Sequence, residues 1–283
     1  MFAASFEYYR PKTIDEAIKL LRDVKGSRVL AGGHSLLPAM KLRLATPAAL
    51  IDIGRIKELS SIRETKDGLR IGALATHASV AASEVVKKKC PVLADAASRL
   101  GDLQVRNRGT IGGSAAHADP GADYPTILLM LGANFHAQDA KEREIPADKF
   151  FVDLFTTALK PGELLTAVTI PATEGTAVYL KHRHPASSFA VVGVAAMATV
   201  KGGKVADVRI AIGGVTANPV RATAAERALA GQAPSEAAIG KASDLVGEAL
   251  RNPIGDSYAS GDFRVHLATV MTKRALTEVA SHS

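Results

Sequence analysis

Two adjacent glycines interrupt an apolar stretch of this 283-residue chain in "RVLAGGHSLLPAMKLRL" (Arg28 to Leu44), and a like pair recurs in "RNRGTIGGSAAHADPGAD". Around the first pair the apolar period changes. Val29 to Ala31 reads as a short buried strand, whereas Leu36, Leu37, Met40 and Leu44 recur at helical spacing. A strand that turns at Gly32 and Gly33 and gives way to a helix is the expected local structure, because glycine tolerates positive φ and lets the main chain approach a ligand closely. Gly112 and Gly113 repeat the pattern, following a hydrophobic residue and preceding a small polar one. Either pair alone also reads as a tight turn between elements. Together they predict one extended anionic ligand, since amides without neighbouring Cβ atoms converge as a nest that suits a diphosphate. The G-x-G-x-x-G fingerprint and a phosphate loop ending in Gly-Lys-Ser or Gly-Lys-Thr are both missing, so neither common nucleotide fold is supported.

The bulk numbers fit a globular protein. A hydrophobic fraction of 47% over 283 residues supports one large or two ordinary domains. The net charge of +7 comes from scattered Lys and Arg, and the one run, Lys87 to Lys89, sits on a helical stretch without interleaved aromatics. It reads as a solvated face, and nucleic acid is not an expected partner. Cys90 is the single cysteine, so the chain alone builds neither a disulfide framework nor an iron–sulfur cluster. "MFAASFEYYRPK" lacks a basic start and a continuous apolar core, and the longest apolar run, around Phe189 to Val200, is too short to span a bilayer. A cytoplasmic protein without a transmembrane segment is expected.

Along the chain, "TIDEAIKLLRDV" carries Thr13 as an N-cap, Glu16 three positions later, and Ile14, Ala17, Ile18 and Leu21 on one helical face. "AALIDIG" reads as a strand, and "GLRIGALATHASVAA" as a strand followed by a helix capped near Thr76. A helix is expected from Cys90 to Leu100, then a long glycine-bearing loop running to a helix after Asp123, with Pro125 in its first turn. "ANFHAQD" and "ELLTAVTIP" read as strands, separated by a loop containing "KERE" and "PADKFF". After "PATEGTA", Phe189 to Val200 and Val205 to Gly214 form apolar stretches joined by "KGGK", a hairpin signal, and a run of helices follows.

Taken as a set, "AGGHS", "RNRG" with "TIGG", "ADPGAD" and "ELLTAVTIP" resemble the FAD-binding medium subunit of the molybdenum hydroxylases, the family of xanthine dehydrogenase and carbon monoxide dehydrogenase. The resemblance covers essentially the whole chain. It implies an α+β fold: a two-lobed FAD-binding domain of the vanillyl-alcohol-oxidase-like (PCMH) type over residues 1–175, with lobes of about 1–57 and 58–175, then a C-terminal antiparallel sheet with helices over 176–283.

Carried onto this chain, the resemblance implies that FAD contacts Leu30, Ala31, Gly32, Gly33, His34, Ser35 and Leu36 in the first glycine loop, and Thr110, Ile111, Gly112, Gly113 and Ser114 in the second. Asp123 matches an acidic position that accepts from ribityl or ribose hydroxyls, and it also reads as the N-cap of the following helix. Leu100 and Leu164 match apolar cofactor contacts and read equally as core. Lys181 matches a basic position near the N1 and O2 edge of the flavin, with a surface lysine as the alternative. Ser114, Ser188 and Phe189 depart from the asparagine, aspartate and tyrosine common at those positions. His182, His184, His117 and Asp119 supply no metal-site pattern, and no metal is expected on this chain.

The implied function is electron transfer within a heteromeric oxidoreductase. A large subunit would carry the molybdenum cofactor and a small subunit two 2Fe–2S clusters, in a dimer of heterotrimers. FAD on this chain would pass electrons to an external acceptor, and no catalytic acid or base is required of it. The competing reading is a self-contained flavin oxidase with FAD attached covalently through His34.

Overall fold

The computed structural model describes residues 2–281 and begins with a small parallel sheet. Its strands β1 (Glu7–Tyr9), β2 (Ser27–Leu30) and β3 (Ala49–Asp52) lie in the order β1-β3-β2 and are connected through α1 (Ile14–Asp23) and α2 (Leu36–Lys41). The cap read from the sequence forms. Thr13 Oγ1 accepts from the Glu16 amide at 3.2 Å, and Glu16 Oε2 accepts from the Lys12 amide at 2.7 Å. The apolar face of α1 delivers Ala17 and Ile18 to a core with Ile51, Ile53, Ile56 and Leu59.

The next stretch holds β4 (Ile62–Thr65), β5 (Gly68–Gly72), α3 (His77–Ala82), α4 (Glu84–Lys89), α5 (Pro91–Ser98), α6 (Leu103–Arg108), α7 (Ile111–His117) and α8 (Asp123–Met130). It continues through β6 (Asn134–Gln138), β7 (Glu142–Pro146), α9 (Ala147–Phe150), a ribbon of β8 (Phe151–Asp153) and β9 (Thr156–Thr157), and β10 (Leu164–Pro171). The main sheet here is antiparallel, in the order β4-β5-β10-β6-β7.

Two expectations are corrected in this region. The long loop before Asp123 contains two short helices, α6 and α7, whose first turns are capped by Asp102 Oδ1 and Thr110 Oγ1, accepting from the Val105 and Gly113 amides at 2.8 and 3.0 Å. Their few apolar residues leave no helical period to read. The loop expected over "KERE" and "PADKFF" is structured: Ala147–Phe150 forms α9, and Glu142–Pro146 forms the edge strand β7, paired with β6. Only Ile145 of that strand is buried, so its sequence carries almost no alternation. Lys87 to Lys89 are exposed as expected, with Lys87 and Lys89 reaching Glu84 and Glu64 at 2.8 and 2.5 Å.

A four-stranded antiparallel sheet follows: β11 (Thr176–Arg183), β12 (Ala190–Lys201), β13 (Lys204–Gly213) and β14 (Val220–Arg221). The hairpin between β12 and β13 turns at Gly202 and Gly203, both with positive φ, as "KGGK" predicts. Helices α10 (Thr223–Leu229), α11 (Glu236–Asp244) and α12 (Gly261–Ser281) complete the chain. This sheet is covered on both faces. Val192, Val194, Ala196, Ile210 and Ile212 pack in one core with residues of α10 to α12, whereas Tyr179, Ala195, Met197 and Ala211 join the core of α5 and α8. That double cover explains why β12 reads as a continuous apolar run. Among the described residues, no helix is long and apolar enough to cross a membrane.

Candidate functional site

The first glycine loop leaves β2 at Leu30, turns through Gly33 at φ +80°, and enters α2. A Cβ on Gly32 would overlap the Arg108 carbonyl oxygen and lie 2.9 Å from Gly109 Cα, so the loop rests directly on the end of α6. A Cβ on Gly113 would stand 3.8 Å from Ala31 Cβ. The fold thus brings together the two segments that the sequence paired, one following β2 and the other opening α7.

Their amides are not equivalent. Among the described residues, the amides of Gly32, Gly33, His34 and Ser35 donate to no protein acceptor, and the loop is half-buried to exposed. In the second segment the Ile111 and Gly112 amides donate to the Ala75 and Ala73 carbonyls at 3.0 Å each, and those of Gly113 and Ser114 to Thr110 Oγ1 and its carbonyl at 3.0 Å each. The expectation of two free amide nests is therefore corrected to one. Because α7 starts at Ile111, its glycine pair lies within a helical turn and its N–H groups serve the cap and the backbone of the chain before α3.

A residue that sequence reasoning did not single out connects this loop to the interior. His77 is the first residue of α3, and its amide donates to the Gly109 carbonyl at 3.0 Å. Its ring tilts against the buried Tyr124 ring with centroids 5.2 Å apart, and its Nδ1 has no partner among the described residues. Burial first, then the charges of His34 and Arg106, lowers its pKa to about 4. Thr76, capping α3 through the Ser79 amide at 3.1 Å, was the available sequence signal, since a cap fixes the residue after it in the first turn.

Asp123 lies at the first turn of α8 and is buried. Its Oδ1 accepts from Tyr179 Oη at 2.5 Å and its Oδ2 from Lys181 Nζ at 2.9 Å, with the Asp and Lys side chains only 5% and 8% exposed. Both simple alternatives are corrected by this geometry. Ala122 occupies the cap position and Asp123 caps nothing, while Lys181 is a buried ion-pair partner and not a surface lysine. Burial, then the neighbouring Asp123 carboxylate, raises the Tyr179 phenol well above its ordinary range. The pair borders a cavity of about 110 Å³ that Ala96, Arg99, Tyr179 and Arg183 also line.

The other sequence candidates lie elsewhere. Leu164 belongs to the core of the first sheet, which accounts for it as a packing residue, and Leu100 packs partly buried against the larger core. His34 is exposed, and Ser35 precedes α2 without a side-chain cap. His184 Nδ1 accepts from the Ala186 and Ser187 amides at 3.2 and 3.4 Å, and Asp119 Oδ1 accepts from the Gly121 amide at 2.9 Å, so both stabilise turns. Ser188 has φ +62°, and Phe189 beside it is 47% exposed. No group of three or more His, Cys, Asp or Glu is placed to hold a metal ion among the described residues.

A small parallel sheet, an antiparallel sheet carrying the second glycine segment beside the first, and a helix-covered antiparallel sheet make this an α+β protein with a loop of free amides at its candidate site. Residues 4–173 match the family described as the FAD binding domain in molybdopterin dehydrogenase, and residues 177–279 the CO dehydrogenase flavoprotein C-terminal domain. The chain belongs to this family of FAD-binding medium subunits of the molybdenum hydroxylases, and it is an oxidoreductase component. It is 35% identical to the glyceraldehyde dehydrogenase medium chain of Sulfolobus acidocaldarius, over 99% of this chain and 100% of that one. It is 38% identical to the carbon monoxide dehydrogenase medium chain of Hydrogenophaga pseudoflava, over 98% and 97%. A solved structure of carbon monoxide dehydrogenase from Hydrogenophaga pseudoflava, lacking the Mo-pyranopterin moiety of its molybdenum cofactor, superposes with a TM-score of 0.96 at 38% identity over 99% of each chain.

Proposed function

We propose that this chain is the flavin subunit of a three-component molybdenum hydroxylase, in which it takes electrons from 2Fe–2S clusters on a small partner and delivers them to an external acceptor. A large partner would carry the molybdenum cofactor and choose the substrate. On this reading residues 1–175 hold FAD and residues 176–283 close over it. The observation that carries the reading is the run of unpartnered amides from Gly32 to Ser35, seated on the second glycine segment. A diphosphate is the ligand whose charge such donors match.

The remaining roles follow from what each group has left to offer. Asp123 keeps a second lone pair on each oxygen for the hydroxyls of the cofactor, and Lys181 keeps two of its three N–H donors. The His77 amide keeps the Gly109 end of α6 in place beneath the loop, and its imidazole is neutral at physiological pH. When bound, the flavin supplies the exchange between one-electron and two-electron transfer. The protein's part is to bind it, orient it and keep it from solvent.

Flavin analysis of the purified full chain tests this. Stoichiometric FAD that stays in the supernatant after acid precipitation is expected. Colour retained in the pellet would favour covalent attachment through His34 and a self-contained oxidase. Absence of flavin, with no uptake when FAD is added, would overturn the cofactor reading. Co-purification from the native source, followed by molybdenum and iron analysis, tests the two partners.

A further inference from the structure

The geometry points to Tyr179 as a positioning residue of the proposed cofactor site: given room by Gly193, its hydroxyl fixes the Asp123 carboxylate so that Asp123 and Lys181 turn their remaining hydrogen-bonding capacity toward the adjoining cavity. The inference rests on the FAD reading above. Tyr179 is 4% exposed and its hydroxyl donates to Asp123 Oδ1 at 2.5 Å, leaving Oδ2 to Lys181 at 2.9 Å. One oxygen is thereby committed to each donor. Removing the hydroxyl would leave a buried carboxylate oxygen unsatisfied, and the carboxylate would rotate to share both oxygens with Lys181. The ammonium donors would then face Asp123 and not the cavity.

Gly193 supplies an independent observation. It lies on β12 directly opposite Lys181, and a Cβ there would stand 2.5 Å from Tyr179 Oη and 3.1 Å from its Cζ. Glycine within a strand is unfavourable unless another group must approach closely. Here the approaching group is the phenol that orients Asp123.

FAD titration of the full chain, read by flavin absorbance and fluorescence, separates positioning from packing in Tyr179→Phe, Gly193→Ala and the double variant. Tyr179→Phe keeps the ring and removes one hydrogen bond, so FAD affinity should fall about 10-fold, with a shift of the bound-flavin absorbance bands. Gly193→Ala should give the same spectral shift by displacing the hydroxyl. The double variant should be no more than about 2-fold weaker than the weaker single variant, because both changes act on one contact. Wild-type affinity and spectrum in Tyr179→Phe, whatever its melting temperature, would make Tyr179 a packing residue and overturn the inference. If Tyr179→Phe fails to fold, wild-type affinity and spectrum in Gly193→Ala would do the same. Failure of the unmutated chain to take up FAD would instead overturn the cofactor reading, and that measurement precedes the variants.

Discussion

Gly193 and Gly213 face each other across β12 and β13 and leave a notch in the sheet, filled by Tyr179 on one side and by Thr126 of α8 on the other. The notch lets α8 approach the sheet closely enough for Asp123, at the start of that helix, to meet Tyr179 and Lys181 on β11. A bulkier pair would hold the carboxylate away from its partners. The ion pair is therefore a product of how the helix seats on the sheet.

Gly213→Ala should disturb that seating, because its Cβ would overlap Thr126 Oγ1. Overpacking of this kind costs roughly 1–3 kcal/mol. Denaturant unfolding should show the loss, and adding Thr126→Ala should restore part of it by opening the space.

Asp123→Ala should be among the most destabilising single substitutions, since it strands the buried Lys181 ammonium without its carboxylate. Breaking a buried pair from one side costs about 3–5 kcal/mol. The double variant Asp123→Ala/Lys181→Met should recover much of this in the same unfolding experiment. Equal losses in the single and double variants would show that the charge is not the cause.

Substitutions in the glycine segments should separate cofactor binding from stability. Gly33→Val introduces a branched side chain at φ +80°, where its Cβ would lie 2.9 Å from Leu37 Cδ1, and should abolish FAD retention. Gly113→Val should also lose FAD, here by disrupting the Thr110 cap, since a Cβ at that position would stand 2.7 Å from Thr110 Oγ1. The second variant should carry the larger drop in melting temperature. Stoichiometric flavin in both would reduce the two segments to ordinary turns.

Acid should weaken the fold through His77. The folded chain holds this imidazole neutral down to about pH 4, whereas the unfolded chain binds the proton near the ordinary value of 6.5. Between those values the unfolded state binds more protons, so stability is full above about pH 6.5 and is lost as the pH falls toward 4, by roughly 3 kcal/mol at most. His77→Gln should flatten that part of the stability–pH curve. A slope unchanged by the substitution would assign the acid sensitivity to other groups.

Cys90 should be silent toward thiol reagents in the native state. Burial pushes its thiol up to about 11, so thiolate is scarce near neutrality and the sulfur is covered. Labelling with a chromogenic disulfide should proceed only at the rate of unfolding.

The chain's own order of residues determined the capped helices, the hairpin and the likeness of its two glycine segments. Thr13, Thr76 and "KGGK" mark their cap, cap and hairpin because the signals are short-range and lie within a few residues of the backbone they satisfy. Tertiary structure decided which amides stay free and what Asp123 touches. The second glycine segment gives its N–H groups to Ala73, Ala75 and Thr110, and Asp123 finds Tyr179 and Lys181 on a distant strand. No local pattern encodes either outcome, since each depends on backbones and buried charges that meet only when the sheets and helices pack.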